Sequence, residues 1–312
     1  MMRSDRLSRA TIAAVLGLLT WSRTAGAQSA TDPTDPSETV KAQTATTGKT
    51  DIAKGGFVTS TAPKDDDPKY VNDVSIGAGG LFSAGNSRTI AMTTLGKLRL
   101  RRDEHQLSVA LAANFARAAA KHGEPVDTTV ENYQGLLRYD YYLTNDVSLF
   151  LQSSGRRDRF QGLDLRLNVD PGVAYYFINT KTHRLQVEGG YDLQYDIRRD
   201  ASREQPVPDD APPGTLPGPR LDKTKTLHNA RLFLGYENKL RKEVAFIASV
   251  EYLQNFADVG TYRFIADIGL KSNIAERLAL ATTYTARYEN KPLPNVDELD
   301  SIASINLVYT FF

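Results

Sequence analysis

The 312-residue sequence contains no cysteine. This absence excludes disulfide bonds, thiolate metal sites and a thiol-linked lipid anchor. No segment has the roughly 20 consecutive apolar residues that a membrane-spanning helix requires. Neither charge sign is in excess, because 38 Lys and Arg oppose 37 Asp and Glu. This balance gives no reason to expect a nucleic-acid partner.

Histidine and the usual cofactor motifs are also scarce. The four histidines are His105, His122, His183 and His228. They are not spaced as metal ligands, and no phosphate-binding glycine loop accompanies them. The sequence therefore predicts neither a metal nor an organic cofactor.

Residues 1–27 have the pattern of a secretory signal peptide. An apolar run over residues 11–21, too short to span a membrane, follows three basic residues, Arg3, Arg6 and Arg9. Small residues before position 28 predict cleavage after Ala27. No arginine pair precedes the apolar run, which favours the general secretory route over the twin-arginine route. A buried N-terminal helix is the alternative.

Residues 28–71 are rich in Thr, Asp, Pro and Ala and have almost no large apolar side chains. Such a segment buries too little surface to offset the entropy lost on ordering. We predict a disordered periplasmic linker. A segment that folds on binding a partner is the alternative.

From residue 72 to residue 312 the sequence alternates with a period of two. In "RLQVEGGYDLQYD", one face carries Leu185, Val187, Tyr191, Leu193 and Tyr195, and the other carries Arg184, Gln186, Glu188, Asp192 and Gln194. This pattern indicates strands between two unlike environments. About twelve such strands occur, and many have the roughly 9–11 residues that cross a bilayer at a tilt.

The connections between these strands alternate in length. Short polar turns such as "RRDE" and "LTND" alternate with longer segments, among them the proline-rich "RRDASREQPVPDDAPPGTLPGPRLDKTK". Short turns on one side and longer loops on the other are typical of outer-membrane barrels. A soluble β-sandwich would rarely sustain strands of this length. The predicted fold is all-β: a transmembrane antiparallel up-and-down barrel over residues 72–312, located in the outer membrane.

The chain ends on "INLVYTFF", an alternating strand with terminal aromatics. Aromatic girdles belong at the membrane interface. The ending resembles the C-terminal signal of outer-membrane proteins. This resemblance implies that the barrel-assembly machinery reads Tyr309, Phe311 and Phe312.

Three segments resemble a known family: "FSAGNS", "YQGLLRYDYYLT" and "RRDRFQGLDLRLNVDPGVAYYF". They are similar to the salt-induced outer membrane protein family, which has no established molecular function. In the long motif, the residues at the family's spacing are Arg157, Asp158, Arg159, Phe160, Gly162, Leu163, Asp164 and Arg166. The chain departs from the pattern with Ala174 in place of a glycine and with Pro171, which removes a hydrogen bond within a strand.

The charges of the long motif have a physical interpretation of their own. By parity, Arg156, Asp158, Asp164 and Arg166 point to one face of a hairpin that turns near Gly162, with opposite charges in diagonal reach. We expect an ionic cluster at the extracellular mouth of the barrel. A structural network and a ligand-binding cluster both remain open as its role.

The polar face of the strands carries charges of both signs. Its basic residues include Lys97, Arg99, Arg138, Arg184, Arg231, Arg263, Lys271 and Arg287, and its acids include Asp140, Asp170, Glu188, Asp192, Asp196, Glu237, Glu251, Asp267 and Glu289. Nearly equal numbers of basic and acidic side chains in a narrow barrel favour ion pairing among them over a field that selects one ion. About twelve strands predicts a thin or occluded lumen.

The scarce histidines argue against catalysis. An outer-membrane phospholipase has a barrel of this size, and such a site needs a nucleophile, a base and an orienting group in mutual reach. His105 and His183 fall at turns and His122 in a long loop. His228 lies on the lipid-facing phase of its strand, without a serine on the matching face of its neighbours. We expect no catalytic residues.

The predicted role is structural or permeability-related, with the family name alone suggesting a link to salt. A narrow passive channel is the second interpretation, and an adhesin-like or receptor role through the long loops is the third. The expected partners are outer-membrane lipids and the secretory and barrel-assembly machineries. A monomer is favoured.

Overall fold

The computed structural model describes residues 70–83, 88–119, 125–180, 182–205, 207, 214–241, 243–294 and 296–311. The predicted signal peptide, its cleavage site at Ala27 and nearly all of the predicted linker lie outside these residues, as does Phe312. Within the described ranges, no helix is long and apolar enough to cross a membrane.

The described residues form a closed barrel of twelve antiparallel strands, which confirms the predicted fold class. The strands are β1 (Tyr70–Ser83), β2 (Arg88–Arg102), β3 (His105–Ala119), β4 (Asp127–Tyr142), β5 (Val147–Asp158), β6 (Leu163–Asn179), β7 (His183–Arg198), β8 (Thr224–Lys239), β9 (Val244–Asn255), β10 (Tyr262–Ala275), β11 (Leu278–Glu289) and β12 (Leu299–Thr310). The first strand begins at Tyr70, two residues before the predicted boundary.

Each strand pairs with the next along the chain, and β12 pairs with β1 to close the barrel. The closing seam has four register pairs, from Ser75↔Thr310 to Ala78↔Leu307. The two strands approach closely here, because a Cβ atom on Gly79 would lie 2.4 Å from the Ile305 carbonyl oxygen. Closure leaves no sheet edge, as a membrane barrel requires.

Side-chain burial alternates along the strands, and the buried face is polar. On β4, Leu137 and Tyr139 are 50% and 43% exposed, whereas Arg138 and Asp140 between them are buried. The period-two geometry of a strand places these two sets on opposite sides of the wall. The apolar outside and the polar inside have the distribution of a barrel surrounded by lipid.

The two ends of the barrel differ in their connections. The turns at one end span residues 103–104, 143–146, 180–182, 240–243 and 276–277, and we call it the short-turn end. Connections at the other end reach 25 residues, in the segment 199–223, and we call it the long-loop end. In outer-membrane barrels short turns face the periplasm and long loops face the exterior.

Two irregularities in β6 affect the lumen. The register with β7 shifts between Leu163 and Leu165, which makes Asp164 a bulge residue. Further along, Val169 pairs with Leu193 and Gly172 with Gly190, but no β7 partner faces Pro171. A proline has no N–H to donate, so this gap in the ladder follows from the sequence.

Candidate functional site

Five buried charged side chains form a network inside the barrel: Arg138, Asp140, Glu188, Arg231 and Glu251. Arg138 Nη2 lies 2.8 Å from Asp140 Oδ1, and Arg138 Nη1 lies 2.8 Å from Glu188 Oε1. Arg231 Nη1 donates to Glu188 Oε2 at 2.7 Å, and Arg231 Nε donates to Glu251 Oε2 at 2.8 Å. Glu188 therefore joins two guanidinium groups. We call this set the central network.

The strands and two aromatic rings hold the central network in position. Arg138 lies on β4 and reaches Glu188 on β7, so the contact passes over the two intervening strands. The Arg138 guanidinium lies 4.2 Å from the centroid of the Phe150 ring. The Arg231 guanidinium lies 5.5 Å from the Phe150 ring and 5.4 Å from the Phe233 ring. The rings fill space and attract the cations through their faces.

A second set of contacts crosses the barrel at the long-loop end. The turn between β5 and β6 carries Gln161, whose Nε2 donates to Asp300 Oδ2 on β12 at 2.8 Å. Arg287 Nη1 on β11 donates to Gln161 Oε1 at 3.2 Å. Arg166 Nη1 on β6 lies 3.5 Å from Glu289 Oε2 on β11. Because β6 and β12 are opposite in a twelve-strand barrel, these contacts span the opening. We call these five residues the mouth bridge.

Local chemistry explains why the turn projects Gln161 inward. Asp158 Oδ1 accepts hydrogen bonds from the backbone N–H groups of Phe160 and Gln161, both at 3.0 Å. Asn132 Nδ2 donates to Asp158 Oδ2 at 2.9 Å and holds the carboxylate in the lumen wall. Gly162 follows with φ of 69°, a backbone conformation that glycine adopts without strain. Asp158 is therefore the capping residue of this turn.

The predicted hairpin cluster is wrong in part. Asp164 does not join Arg156, Asp158 and Arg166 inside the barrel, because the bulge in β6 shifts its side chain out of the lumen phase. Asp164 instead accepts a hydrogen bond from Lys223 Nζ at 3.1 Å. Arg156 Nη2 lies 3.6 Å from Asp158 Oδ2.

Arg166 also has partners other than those the parity argument gave. Its Nε and Nη2 donate to the two carboxylate oxygens of Asp196 at 2.8 and 2.7 Å. Register places Asp196 directly opposite Arg166 on β7. This two-point pairing fixes the guanidinium plane, and its remaining Nη1 is directed to Glu289.

Three other residues of the family motif, Arg157, Arg159 and Phe160, are exposed outside the lumen. Arg157 is exposed on the outer face, between two buried neighbours. Arg159 Nη1 pairs with Glu131 Oε2 at 3.4 Å, half-exposed at the long-loop end. Its guanidinium lies 6.0 Å from the exposed Phe160 ring. The motif thus combines lumen, turn and outer-surface positions.

Eleven of the seventeen predicted lumen charges are buried in the interior, among them Arg138, Asp140, Glu188, Arg231, Glu251, Arg263, Asp267 and Arg287. Arg263 Nη2 pairs with Glu289 Oε2 at 3.4 Å. Asp267 accepts hydrogen bonds from the hydroxyl groups of Thr285 and Ser249. Basic and acidic side chains alternate in the interior and do not form separate positive and negative regions.

The sequence predicts a turn near Gly162 but assigns no role to the neighbouring Gln161 side chain. An Asp two to three residues before the turn is a recognisable capping signal. The contact between Gln161 and Asp300 could not be read from a local sequence pattern, because the two residues are 139 positions apart.

A cavity of 380 Å³ occupies the short-turn end of the lumen. Its lining includes charged residues from β1, β2, β7, β8 and β10, namely Asp73, Lys97, Arg99, Arg184, Glu237 and Lys271. Asp267 and Thr285, about half-way along β10 and β11, also line it. Arg263 and Arg287 follow on the same strands towards the long-loop end. The mouth bridge therefore lies beyond the inner end of the cavity.

The three histidines of the described residues lie on the outer surface beside tyrosines. His105 Nδ1 and Tyr139 Oη are 2.6 Å apart, and His183 Nδ1 and Tyr236 Oη are 3.0 Å apart. His228 Nδ1 is hydrogen-bonded to the Tyr191 hydroxyl. In each of these pairs, the hydroxyl group bonded to the histidine belongs to a tyrosine and not to a serine. His122 lies outside the described residues.

The end of the chain follows β12 on the outer surface. Tyr309 and Phe311 are exposed, and their rings meet edge to face with centroids 5.0 Å apart. The Phe311 N–H donates to the Val74 carbonyl oxygen at 2.9 Å and continues the seam.

Comparison with solved structures finds other barrels at low sequence identity. A COG4313 outer membrane channel from Pseudomonas putida F1 is 10% identical, with a TM-score of 0.42, over 81% of this chain and 100% of that chain. The NanC porin is 10% identical, with a TM-score of 0.41, over 77% of this chain and 98% of that chain. A KdgM porin in complex with disordered oligogalacturonate is 10% identical, with a TM-score of 0.36, over 78% of this chain and 100% of that chain.

A search of curated protein sequences finds no match. The model of a family described as a protein of unknown function, DUF481, matches residues 76–311. This match covers nearly the whole barrel. The chain therefore belongs to the DUF481 family.

Proposed function

We propose that the protein is an outer-membrane barrel of restricted permeability, whose lumen is closed at rest to solutes of sugar size. The observation that carries the proposal is the mouth bridge, in which Gln161 contacts Asp300 and Arg287 on the opposite wall. A turn that reaches across the opening and is hydrogen-bonded to the opposite wall through Gln161 leaves little free cross-section.

The charge distribution supports closure rather than selection of one ion. The central network fills the lumen between β4 and β9 with paired charges that are at most 4% exposed. Opposite charges in direct contact neutralise each other's field, so the described lumen wall carries no extended basic or acidic track that would guide an ion. The central network occupies the middle of the lumen. The mouth bridge closes the long-loop end, and the cavity remains open at the short-turn end.

A narrow passive channel is the second candidate. The cavity at the short-turn end favours it, because a volume of 380 Å³ inside the barrel is already open. In this alternative, thermal motion of the Gln161 side chain alone would admit ions. The two candidates differ in the current that the unmodified protein carries.

The link to salt that the family resemblance implies has a candidate location in Glu289. Its side chain is 24% exposed, and its contacts with Arg166 and Arg263 are 3.5 and 3.4 Å long. Salt shortens the screening length from about 10 Å at 0.1 M to about 3 Å at 1 M and weakens accessible pairs more than buried ones. We expect the conductance, divided by that of the bulk solution, to rise with KCl concentration.

Planar-bilayer conductance tests the proposal with two double variants. Gln161→Ala with Glu289→Ala removes the mouth bridge and leaves Arg166 and Arg263 at the opening. We expect rare, small currents for the unmodified protein and larger, anion-preferring currents for this variant. Arg138→Ala with Arg231→Ala opens the central network behind a closed mouth and is expected to add little current.

The matched control is Arg159→Ala with Glu131→Ala, which removes an ion pair at the same end but outside the lumen. It should conduct as the unmodified protein does. Steady, large currents from the unmodified protein would overturn closure and select the passive channel.

We further propose export by the general secretory route and assembly through Tyr309, Phe311 and Phe312. No catalytic role is proposed, because the described histidines bond to tyrosine phenols on the lipid-facing surface. Expression of the full chain with Ala27 replaced by a bulky residue tests the export step. Unprocessed precursor is the expected result.

A further inference from the structure

Arginines are exposed on the outer surface of the barrel where β3, β4 and β5 reach the long-loop end. Arg117 near the end of β3 and Arg157 near the end of β5 both lie on the exposed phase of their strands. Arg159 follows in the turn after β5, and its ion pair with Glu131 on β4 leaves it half-exposed. We call these three arginines the outer basic patch.

Two of these arginines have no carboxylate partner among the described residues. Within those ranges Arg157 forms no hydrogen bond or ion pair. The side chain of Arg117 has one hydrogen bond, from Nη2 to the backbone carbonyl oxygen of Val126 at 3.0 Å. The nearby acid Asp127 pairs in register with Ala118, which is on the lumen phase of β3. The positive charges of Arg117 and Arg157 are therefore available to a ligand from outside the chain.

The aromatic residues of β4 show the depth of the patch in the membrane. Tyr133 is directly opposite Arg157 in the register of β4 and β5, and Tyr141 lies near the short-turn end of the same exposed face. The strand from Tyr141 to Tyr133 is about 26 Å long, which is about 20 Å in height at a tilt of about 40°. The apolar band of a membrane barrel is about 25 Å tall and is bordered by aromatic girdles. Arg157 therefore lies at the exterior edge of this band, where a long side chain reaches the lipid headgroups.

The positive charge does not continue around the barrel beyond β5. The outer positions of β6 and β7 at the same end carry apolar side chains, namely Leu165, Leu167, Tyr195 and Ile197. An arginine on the lipid face destabilises a barrel at the bilayer midplane but costs little at the interface, where phosphate oxygens can accept its hydrogen bonds. The patch is thus a local feature of the wall formed by β3, β4 and β5.

Arg117 and Arg157 are spaced for two separate phosphate groups. Tyr133 pairs with Ala113 on β3 and with Arg157 on β5, so Arg117 lies four residues beyond the level of Arg157. Two strand spacings and four residues along the strand separate their Cα atoms by roughly 15 Å. A guanidinium group binds phosphate oxygens through two parallel hydrogen bonds, so each arginine can hold one phosphate.

We propose that the outer basic patch binds a lipid of the exterior leaflet that carries two phosphate groups, one at Arg117 and one at Arg157. The pair of Arg159 with Glu131 lies between the two positions. Long loops face the exterior in outer-membrane barrels, which assigns the patch to that leaflet. The inference rests on the outer-membrane location of the barrel and does not require that its lumen be closed.

Equilibrium binding of labelled lipid to the refolded full-length protein in neutral detergent micelles tests the site. The probe is diphosphorylated lipid A, which carries two phosphate groups on one lipid, and it should bind saturably. Dephosphorylated lipid A and phosphatidylglycerol, which has a single phosphate, should bind more weakly by about tenfold or more. Arg117→Gln with Arg157→Gln should weaken binding of the diphosphorylated probe by about tenfold for each guanidinium group lost.

A matched double variant separates the patch from general charge. Arg241→Gln with Arg277→Gln removes two exposed arginines from turns at the short-turn end, so the net charge changes equally. This variant should bind the diphosphorylated probe as the unmodified protein does. Heat-modifiable migration checks that each variant is folded. Where the patch variant does not refold, Arg157→Gln alone serves the same comparison, with an expected loss of about tenfold.

Stability gives an independent readout of the same site. Diphosphorylated lipid A should raise the urea midpoint of the unmodified protein and of the short-turn variant but not of the patch variant. The proposal is overturned if the diphosphorylated probe binds no better than its dephosphorylated form or phosphatidylglycerol, or if the patch variant binds it as the unmodified protein does. None of these results would bear on closure of the mouth, because the patch lies outside the lumen.

Discussion

Replacing Arg231 by alanine removes the side chain that holds three carboxylates together in the lumen. Its guanidinium contacts Glu188 and Glu251 at 2.7 and 2.8 Å, and its Nε lies 3.9 Å from Asp170 Oδ2. In the variant, these three carboxylates stay buried but lose the positive charge of Arg231. Glu188 keeps its contact with Arg138.

The expected loss is large because the network is almost dry. Removing one partner of a buried pair leaves an uncompensated charge and costs about 3–5 kcal/mol. The missing side chain also ends the contacts with the Phe150 and Phe233 rings. These rings add about 0.5–2 kcal/mol as partners of a cation. We therefore expect Arg231→Ala to lower the free energy of unfolding by about 4–7 kcal/mol, the sum of the two ranges.

Urea unfolding of the refolded barrel in lipid vesicles, followed by heat-modifiable gel migration, measures this loss. Arg159→Ala is the control, because its pair with Glu131 is half-exposed and worth about 0–1 kcal/mol. Arg231→Met with Glu251→Gln removes one charge of each sign and should recover most of the loss. Equal losses for Arg231→Ala and Arg159→Ala would refute the stabilising role of the central network.

Three further predictions concern the membrane face, the chain end and the mouth. Leu234→Arg on the lipid face should cost about 2–4 kcal/mol if it lies at the bilayer midplane, and Gln194→Arg on the lumen face less; equal losses in refolding titrations would contradict the assignment of faces. Deletion of Phe311 and Phe312 should leave aggregated or degraded protein, so normal heat-modifiable protein in outer-membrane fractions would count against it. Gly162→Ala should displace the turn and raise conductance, because φ is 69° and the added Cβ would meet a serine side chain at 2.5 Å; an unchanged current would argue that the turn does not seal the mouth.

The strands and their faces could be predicted because a strand alternates with a period of two. Alternation alone predicts that Arg138, Glu188 and Arg231 lie on the polar face, and all three lie inside the barrel. Closure into a barrel also followed from the sequence, since apolar residues on the outer phase need lipid or another sheet. These features depend only on neighbours along the chain.

Partners inside the lumen could not be predicted in the same way. Asp164 breaks the parity because a bulge inserts one extra residue, and the sequence does not announce where a bulge forms. Gln161 reaches Asp300 only because the barrel closes and brings the walls together. Contacts of this kind depend on strand tilt, register and barrel width, which no local pattern determines.

Cross-linking across the opening tests the central claim most directly, that the turn between β5 and β6 spans the mouth in the membrane. The chain has no cysteine, so Gln161→Cys with Asp300→Cys introduces the only two thiols. A short bifunctional thiol reagent applied to outer-membrane fractions should give a cross-linked species with altered migration after denaturation. Arg117→Cys with Asp300→Cys, whose first position is exposed on the outer face, should not. Absence of the cross-link in the first pair, or equal yields from both pairs, would contradict a mouth closed by Gln161.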